Sequence, residues 1–276
     1  MTTAAAQPVT LSAIYLSAIY IYPVKSCRGI AVSAAQLDNW GLQFDRNWMI
    51  VNTTGRFLSQ RELPKMALIE VSIGDEALQL TTPGQTALTV PLMASPGESR
   101  NVEVWGDRTL AIDQGETAAA WLSETLGQSV RLVRLGEGYS RPVKPAPLAA
   151  HQVSFADGYP LLLISEASLA DLNQRLPEAL PMNRFRPNLV VSGCEAYAED
   201  SWQQIRIDSV TFDLVSPCER CAITTTDQDT GSRAGTEPLK TLATYRRTAG
   251  GVIFGQNLVH QTHGEVRSGS PVEILL

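Results

Sequence analysis

Two cysteines and an arginine set close together are the side chains of this 276-residue sequence best suited to chemistry. They lie in Ser216-Pro217-Cys218-Glu219-Arg220-Cys221-Ala222-Ile223-Thr224-Thr225-Thr226-Asp227. A strand-like run, Val210 to Val215, leads in, and a polar turn ending at Gly231 leads out. A thiolate is a soft ligand whose pKa falls beside a cation or a metal, so Cys221, with Arg220 before it, is a candidate reactive or metal-bound sulfur. Cys-x-x-Cys is equally the spacing of zinc sites and redox dithiols, and either cysteine could be an inert buried thiol. No second Cys or His pair stands at zinc-finger spacing, and no helical pattern follows the motif as in a thioredoxin-like site.

Taken together, Arg220-Cys221-x-x-Thr224-Thr225-x-Asp227-x-x-Thr230-Gly231 and the downstream Phe254-Gly255-Gln256 resemble the signature of the MOSC-domain proteins that carry a molybdenum cofactor. Within that family the chain is similar to the mitochondrial amidoxime-reducing component and to bacterial YcbX-type proteins, from about Ile19 to the C-terminus. The resemblance implies that Cys221 ligates the metal and that Cys218 is a neighbour with no required bond. It also implies that Lys25, Ser26, Arg46, Arg186, Asn188, Arg220 and Gln256 hold the pterin or its phosphate, and that Asp157 holds pterin nitrogens or a proton. A guanidinium fork suits a phosphate, and Lys25, Arg46 and Arg186 are the cations expected to converge on it.

Each of these residues also has a plainer reading. Lys25 and Ser26 cap a turn, Arg46 is a surface charge, Asp157 is a turn residue, and Gln256 with Asn257 satisfies buried backbone. Where the chain has Gly158 and Tyr159, the mitochondrial relatives carry small hydroxyl residues, so some donors are missing or replaced. Arg184 falls one step outside the match and reads as surface. Cys194 reads as a small buried hydrophobe, and His260 and His263 are not assigned as ligands.

The activity implied by the resemblance is reduction of N-oxygenated compounds (hydroxylamines, amidoximes, N-hydroxylated bases), an N-reductive detoxification. YcbX-type proteins usually continue into a ferredoxin-like domain. The four cysteines here do not form the plant-type C-x4-C-x2-C arrangement, so electrons are expected from a separate ferredoxin-, cytochrome- or flavoprotein-type partner. Two other readings compete: a sulfur carrier with a persulfide on Cys221, and a cofactor-binding module without turnover.

Composition narrows the classes. A formal charge of -6 and the absence of a Lys/Arg run argue against nucleic-acid binding. Apolar residues at 44% and charged residues at 18% describe an ordinary globular chain. Four cysteines in this length are no disulfide framework, and Met1 to Thr10 lacks the charged start of a signal peptide, so a reducing, cytoplasmic setting is expected. Leu11 to Val24 is too short and too polar for a membrane span and reads as a strand. It contains a tandem, Leu11 to Tyr15 and Leu16 to Tyr20, of which one copy continues the strand and the other leads in. A monomer without membrane attachment is expected.

The fold expected is α+β and β-rich. By resemblance it has an N-terminal MOSC-type β-barrel domain over residues 12–138, whose first part to about residue 50 contributes to the site, and a barrel-like MOSC domain over 139–276. Pro142, Pro145 and Pro147 mark the connection. Strands are expected at Asn47 to Val51, Arg56 to Ser59, Ala67 to Ile73, Ala77 to Thr81, Thr86 to Leu92, Asn101 to Trp105, Thr109 to Ile112, Leu161 to Ile164, Leu189 to Val191, Val210 to Val215, Val252 to Val259 and Pro271 to Leu276. Helices are expected at Glu116 to Leu126, stopped by Gly127, from Ser165 as N-cap to Leu176, and from Leu239 to Tyr245. Gly29 is read as allowing an unusual backbone angle, and Pro187 as biasing Arg186 to an extended one.

Overall fold

Runs rich in Val, Ile and Leu, broken by Gly, Pro and Asp, give a β-rich chain with three α-helices over the residues that the computed structural model describes, 13–93, 97–136 and 138–275. The largest sheet has eight strands, in the order Val272–Ile274, Gln204–Ile207, Val210–Glu219, Ile253–His260, Leu161–Ser165, Leu189–Ser192, Tyr15–Ile21, Ile30–Val32. Neighbours run antiparallel except Leu161–Ser165 and Leu189–Ser192, which are parallel and therefore need the crossover that helix Glu166–Arg175 supplies.

The ladders do not close a barrel. Among the described residues, one isolated bridge, Tyr15 to Pro271, and three backbone bonds, Leu16 N–H to the Ser270 carbonyl at 2.9 Å, Gly269 N–H to the Leu16 carbonyl at 2.7 Å and Val272 N–H to the Ile14 carbonyl at 2.8 Å, join the first strand to the approach of the last. The sheet curls around Leu16, Ile19, Leu163, Leu189, Ile205, Phe212 and Leu258, all fully buried. The N-terminal segment is thus built into the sheet of the C-terminal half. Ala34–Asp38 repeats the pattern by pairing with Gly264–Arg267.

A four-stranded sheet, Trp48–Asn52, Val130–Arg134, Asp107–Asp113, Ser99–Val104, lies between these segments in sequence. Its Trp48–Asn52 strand is buried on both faces, as strand alternation allows. Trp48 and Ile50 pack with Ala118, Leu122 and Leu126 of helix Gly115–Leu126 and with the hairpin sheet Glu70–Ile73, Ala77–Thr81, Leu88–Pro91. Met49 and Val51 pack instead with Val102, Val133 and Phe155.

Several expectations hold locally. Gly127 stops its helix at φ 70°, and the Ser165 side chain accepts from the Ser168 N–H as an N-cap. The Leu16 to Tyr20 copy of the tandem lies within strand Tyr15–Ile21, while Leu11 and Ser12 lie outside the described residues.

Others are corrected. Arg56 to Ser59 makes only isolated bridges, Phe57 to Val51 and Arg56 to Glu103. Pro64 opens a 3-10 turn to Leu68, which delays the next strand to Glu70. Strand Val210–Glu219 outruns its expected end because Ile253–His260 pairs along it, with irregularities beside Pro217 that absorb the missing N–H. Cys218 therefore sits on a strand. Gly29 is required by contact and not by angle, since a Cβ there would lie 2.4 Å from the Tyr22 ring. Arg186 is not extended but left-handed, φ 56°, because Tyr22 accepts its guanidinium against the ring and donates its hydroxyl to the Pro187 carbonyl at 3.0 Å. No helix among the described residues is long and apolar enough to cross a membrane.

Candidate active site

Strand direction gathers the site. Tyr15–Ile21 ends where antiparallel Leu189–Ser192 begins, so the turn carrying Lys25 and Ser26 meets Arg186 and Asn188. Leu161–Ser165 starts at the same edge, which brings Asp157. Val210–Glu219 runs in the same sense as Leu161–Ser165, with antiparallel Ile253–His260 between them, and Cys218 to Cys221 at its far end reach the same cavity. Lys25, Ser26, Arg46, Asp157, Arg186, Asn188, Arg220 and Cys221 line one cavity of about 140 Å³, together with Gly158, Tyr159 and Asn257. A Cβ at Gly158 would meet nothing within 4 Å, so a small hydroxyl residue would fit there.

Gln256 is turned away. Side chains alternate along strand Ile253–His260, so Asn257 faces the cavity while Gln256 donates to Asp200 at 2.6 Å. Arg220 faces the cavity but serves the other sulfur. Cys218 and Arg220 share a face at i, i+2, and the guanidinium donates to Cys218 Sγ at 3.0 Å and to the Phe185 carbonyl at 2.5 Å. Burial pushes the Cys218 thiol up, with Arg220 opposing.

Cys221 receives its hydrogen bond from Arg61, whose Nε lies 3.4 Å from Sγ. Arg61 stacks over Trp105 at 4.3 Å, Trp105 Nε1 donates to Asp157 at 3.0 Å, and Lys25 Nζ donates to Asp157 at 2.5 Å and to the Phe155 carbonyl at 2.7 Å. Sequence reasoning missed Arg61 and Trp105, because a lone basic residue in a polar turn and a tryptophan at a hairpin end carry no motif.

Charge is unevenly compensated. Arg46 pairs with buried Asp45 at 2.5 Å, and Lys25 pairs with Asp157. Among the described residues, Arg61, Arg186 and Arg220 have no carboxylate within 4 Å. Arg186 bonds only the Cys27 carbonyl, at 2.8 Å, and burial pushes its guanidinium down to about 10. Arg220 Nε is buried with no partner. Burial also pushes Lys25 down to about 8, with Asp157 opposing. The Asp157 carboxylate is open to solvent. Burial of its surroundings raises its pKa, but Lys25, Trp105 and Arg61 outweigh this and hold it well below the usual carboxylate range. Cations without counter-ions are costly unless an anion completes them, so the cavity is built for one.

Backbone strain points to the same place. Of seven non-glycine residues with positive φ among the described residues, Ser26, Arg46 and Arg186 line the cavity and Trp105 bonds its Asp157. Each such conformation costs on the order of 1–3 kcal/mol and persists where the surroundings impose it.

The loop that presents Cys221 is fixed by its own side chains. Thr224 and Thr225 hydroxyls donate to the carbonyls of Cys221 and Ala222, at 2.9 and 2.8 Å, and hold the short 3-10 turn Ala222–Thr225. Asp227 accepts from the N–H groups of Asp229 and Thr230, and Gly231, φ 62°, lets the chain pass against Leu68. Arg184 is buried and not on the surface: its Nε donates to the Thr224 carbonyl at 3.0 Å and braces this turn.

The donor set fits a phosphate-bearing cofactor with a soft metal, since guanidiniums without carboxylate partners and a half-buried thiol face one space. The MOSC N-terminal beta barrel domain family matches residues 13–129 and the MOSC domain family matches residues 150–273. Mitochondrial amidoxime-reducing component 1 of Homo sapiens is 36% identical over 276 residues, covering 93% of this chain and 82% of that protein. Its Mus musculus counterpart is 37% identical, covering 93% and 81%. The molybdenum cofactor sulfurase of Oryza sativa subsp. japonica is 35% identical over 267 residues, which are 89% of this chain and 32% of that one.

Proposed function

The chain belongs to the MOSC-domain family, and from that membership we propose that it is a molybdenum-cofactor-dependent reductase of N-oxygenated small molecules supplied with electrons by a separate redox protein. The observation that carries the reading is a half-buried thiol, Cys221, held by Arg61 and facing a cavity whose Arg186 and Arg220 lack carboxylate partners. Similarity to amidoxime-reducing components over most of both chains supports a reductase.

When bound, the molybdenum centre supplies two-electron oxygen-atom chemistry, and the protein supplies its setting. Cys221 would provide a sulfur ligand, and Arg46 and Arg186, stacked on Tyr22 at 4.3 and 4.2 Å, would clamp the phosphate. Asp157, held ionised, is a poor proton donor near neutral pH. Lys25 Nζ holds a proton between Asp157 and the Phe155 carbonyl with a pKa of about 8, which suits proton delivery at the cavity wall. The proposal includes a division between the two units near residue 138, a monomer, and a cytoplasmic setting.

A sulfur-carrier role is the second reading, favoured by the match to a cofactor sulfurase and by the guanidinium of Arg61 on Cys221. Protein from a host that makes the cofactor decides. Near-stoichiometric molybdenum and pterin, with turnover of an amidoxime by a chemically reduced dye, are expected. Metal-free protein carrying a persulfide on Cys221 would sink the reductase reading, and loaded protein without turnover would leave a binding module.

A further inference from the structure

Trp105 and Gly106 form the two-residue loop of the hairpin between Ser99–Val104 and Asp107–Asp113, since Val104 pairs with Asp107. Both stand at positive φ, 53° and 84°, as the tightest hairpin loops require. Asn or Asp before Gly is the usual pair in such a loop, and a bulky aromatic residue in the left-handed region is strained. Trp105 is also 44% exposed, so burial of the indole does little to offset that strain. Its side chain instead carries Arg61. The guanidinium lies over the indole at 4.3 Å, Phe57 is tilted against the same ring system at 4.8 Å, and Nε1 donates to Asp157.

The backbone around Arg61 is fixed from two directions. Gln60 donates to the Ser26 carbonyl at 2.9 Å and exchanges amide bonds with Gln228 at 3.1 and 2.9 Å, all buried. Arg233 donates to the carbonyls of Gln60 and Arg61, at 2.6 and 3.3 Å. The turn that bears Arg61 is thereby tied to the Ser26 turn on one side and to the loop after Cys221 on the other. This holds Arg61 Nε 3.4 Å from Cys221 Sγ.

Among the described residues, Arg61 has no carboxylate within 4 Å, and its Nη1 and Nη2 have no protein acceptor. It stands apart from the other cations of the site. Arg46 and Arg186 stack on Tyr22 and Lys25 pairs with Asp157, whereas Arg61 stacks on Trp105 and meets the cavity at its sulfur. A charge placed there acts on whatever approaches Cys221. Resting on the reductase reading, we propose that Arg61 is a specificity-determining residue: its guanidinium, carried on Trp105, pairs beside Cys221 with a negatively charged group of the substrate, such as a carboxylate, and so favours anionic over cationic N-oxygenated compounds.

The first measurement needs neither cofactor nor turnover. Alkylation of Cys221 in the apo protein by anionic iodoacetate is compared with alkylation by neutral iodoacetamide, each followed by mass spectrometry of the Cys221 peptide. The ratio of the two rates cancels any change in thiolate content. It should fall about fivefold in Arg61→Gln and in Arg61→Met, and stay near wild type in Arg61→Lys. Lys65→Gln, at an exposed position of the same turn, should leave it unchanged. The second measurement uses cofactor-loaded protein and a chemically reduced dye, with a carboxylate-bearing benzamidoxime set against a trimethylammonium-bearing one. The wild type should favour the anion, and Arg61→Gln should lower the ratio of the two kcat/KM values by about tenfold, chiefly through KM. An alkylation ratio indifferent to both neutral variants, or turnover whose charge preference survives them, would overturn the inference while leaving the reductase reading in place. Loaded wild-type protein that turns over neither compound would sink the reductase reading, and the substrate role of Arg61 with it.

Discussion

On the four-stranded sheet, Arg100 and Arg131 both donate to buried Asp113, with Glu98 3.3 Å from Arg100 and Glu116 2.9 Å from Arg131. At the Cys221 cavity, Arg46 and Arg186 stack on Tyr22, and of these two only Arg46 has a carboxylate, Asp45, within 4 Å among the described residues. Burial raises the pKa of Asp113, but Arg131, the Gly115 N–H and Arg100 outweigh this and hold it below the usual range. Arg186, without such a partner, is pushed down to about 10. Both clusters use the same side chains, yet the first closes its own electrostatics and the second stays open. A cation that the fold itself needs is given its counter-ion, whereas one held for a ligand is left short of charge and costs the apo protein stability.

The largest effect should come from the sulfur that the open cluster faces. Cys221→Ser is expected to abolish amidoxime turnover and alter the metal's absorption, while Cys218→Ser, whose sulfur accepts from Arg220 and donates to the Glu219 carbonyl, keeps both. Activity lost in Cys218→Ser and kept in Cys221→Ser would reverse the assignment.

Next come the arginines themselves. Arg186→Ala and Arg46→Ala each remove a charged hydrogen bond to a phosphate, roughly 1.5–3 kcal/mol, or about ten- to a hundredfold in cofactor retention. Arg131→Ala, from the closed cluster, should leave the molybdenum content unchanged. Arg184→Ala is unsuited as a control, because Arg184 braces the turn that carries Cys221. Equal retention in all variants would erase the distinction between the clusters.

Stability should divide the clusters the other way. Asp113→Ala leaves two arginines without their shared acceptor and should cost about 1–3 kcal/mol in denaturant unfolding of the apo protein. Arg186→Met, which removes a cation lacking a carboxylate, should cost less and is expected to be near neutral. If Arg186→Met proved the more damaging, the cavity cations would be structural after all.

The sequence discloses the open cluster's address better than its wiring. Lys25, Ser26, Arg46, Arg186, Asn188 and Arg220 became candidates through the family resemblance and line one cavity with Cys221, whose own turn leaves a spaced pattern because the Thr224, Thr225, Asp227 and Gly231 contacts are local. Arg61, Trp105 and Tyr22 did not, since their roles exist only once strands distant in sequence pair, and a single Arg, Trp or Tyr has no period to detect. Gln256 was misplaced for a related reason: one residue of register decides which face a strand side chain takes, and Phe254-Gly255-Gln256 does not carry that register. Strands with apolar alternation were legible. Ala34–Asp38, Gln204–Ile207 and Gly264–Arg267, short and partly polar, are strands because of what pairs with them.

The smallest effect expected is a pH dependence that divides cofactor retention from apo stability. Burial holds Lys25 at about 8 in the folded protein, below the 10.5 of the free side chain. Between these values the unfolded chain binds a proton that the folded chain does not, so apo stability should rise with pH across that window. Anion retention has the opposite sign. Below about 8 Lys25 adds its charge to those of Arg46 and Arg186, and above it that charge is lost, so release of the phosphate-bearing cofactor should quicken several-fold as pH passes from 7 to 9. Lys25→Met should flatten both slopes, while Lys25→Arg, charged throughout, should keep retention level. Dialysis of loaded protein at a series of pH values, beside denaturant unfolding of the apo form, reads the two slopes separately. Slopes of the same sign, or retention indifferent to Lys25→Met, would place the Lys25 charge with Asp157 alone and leave Arg46 and Arg186 as the whole of the open cluster.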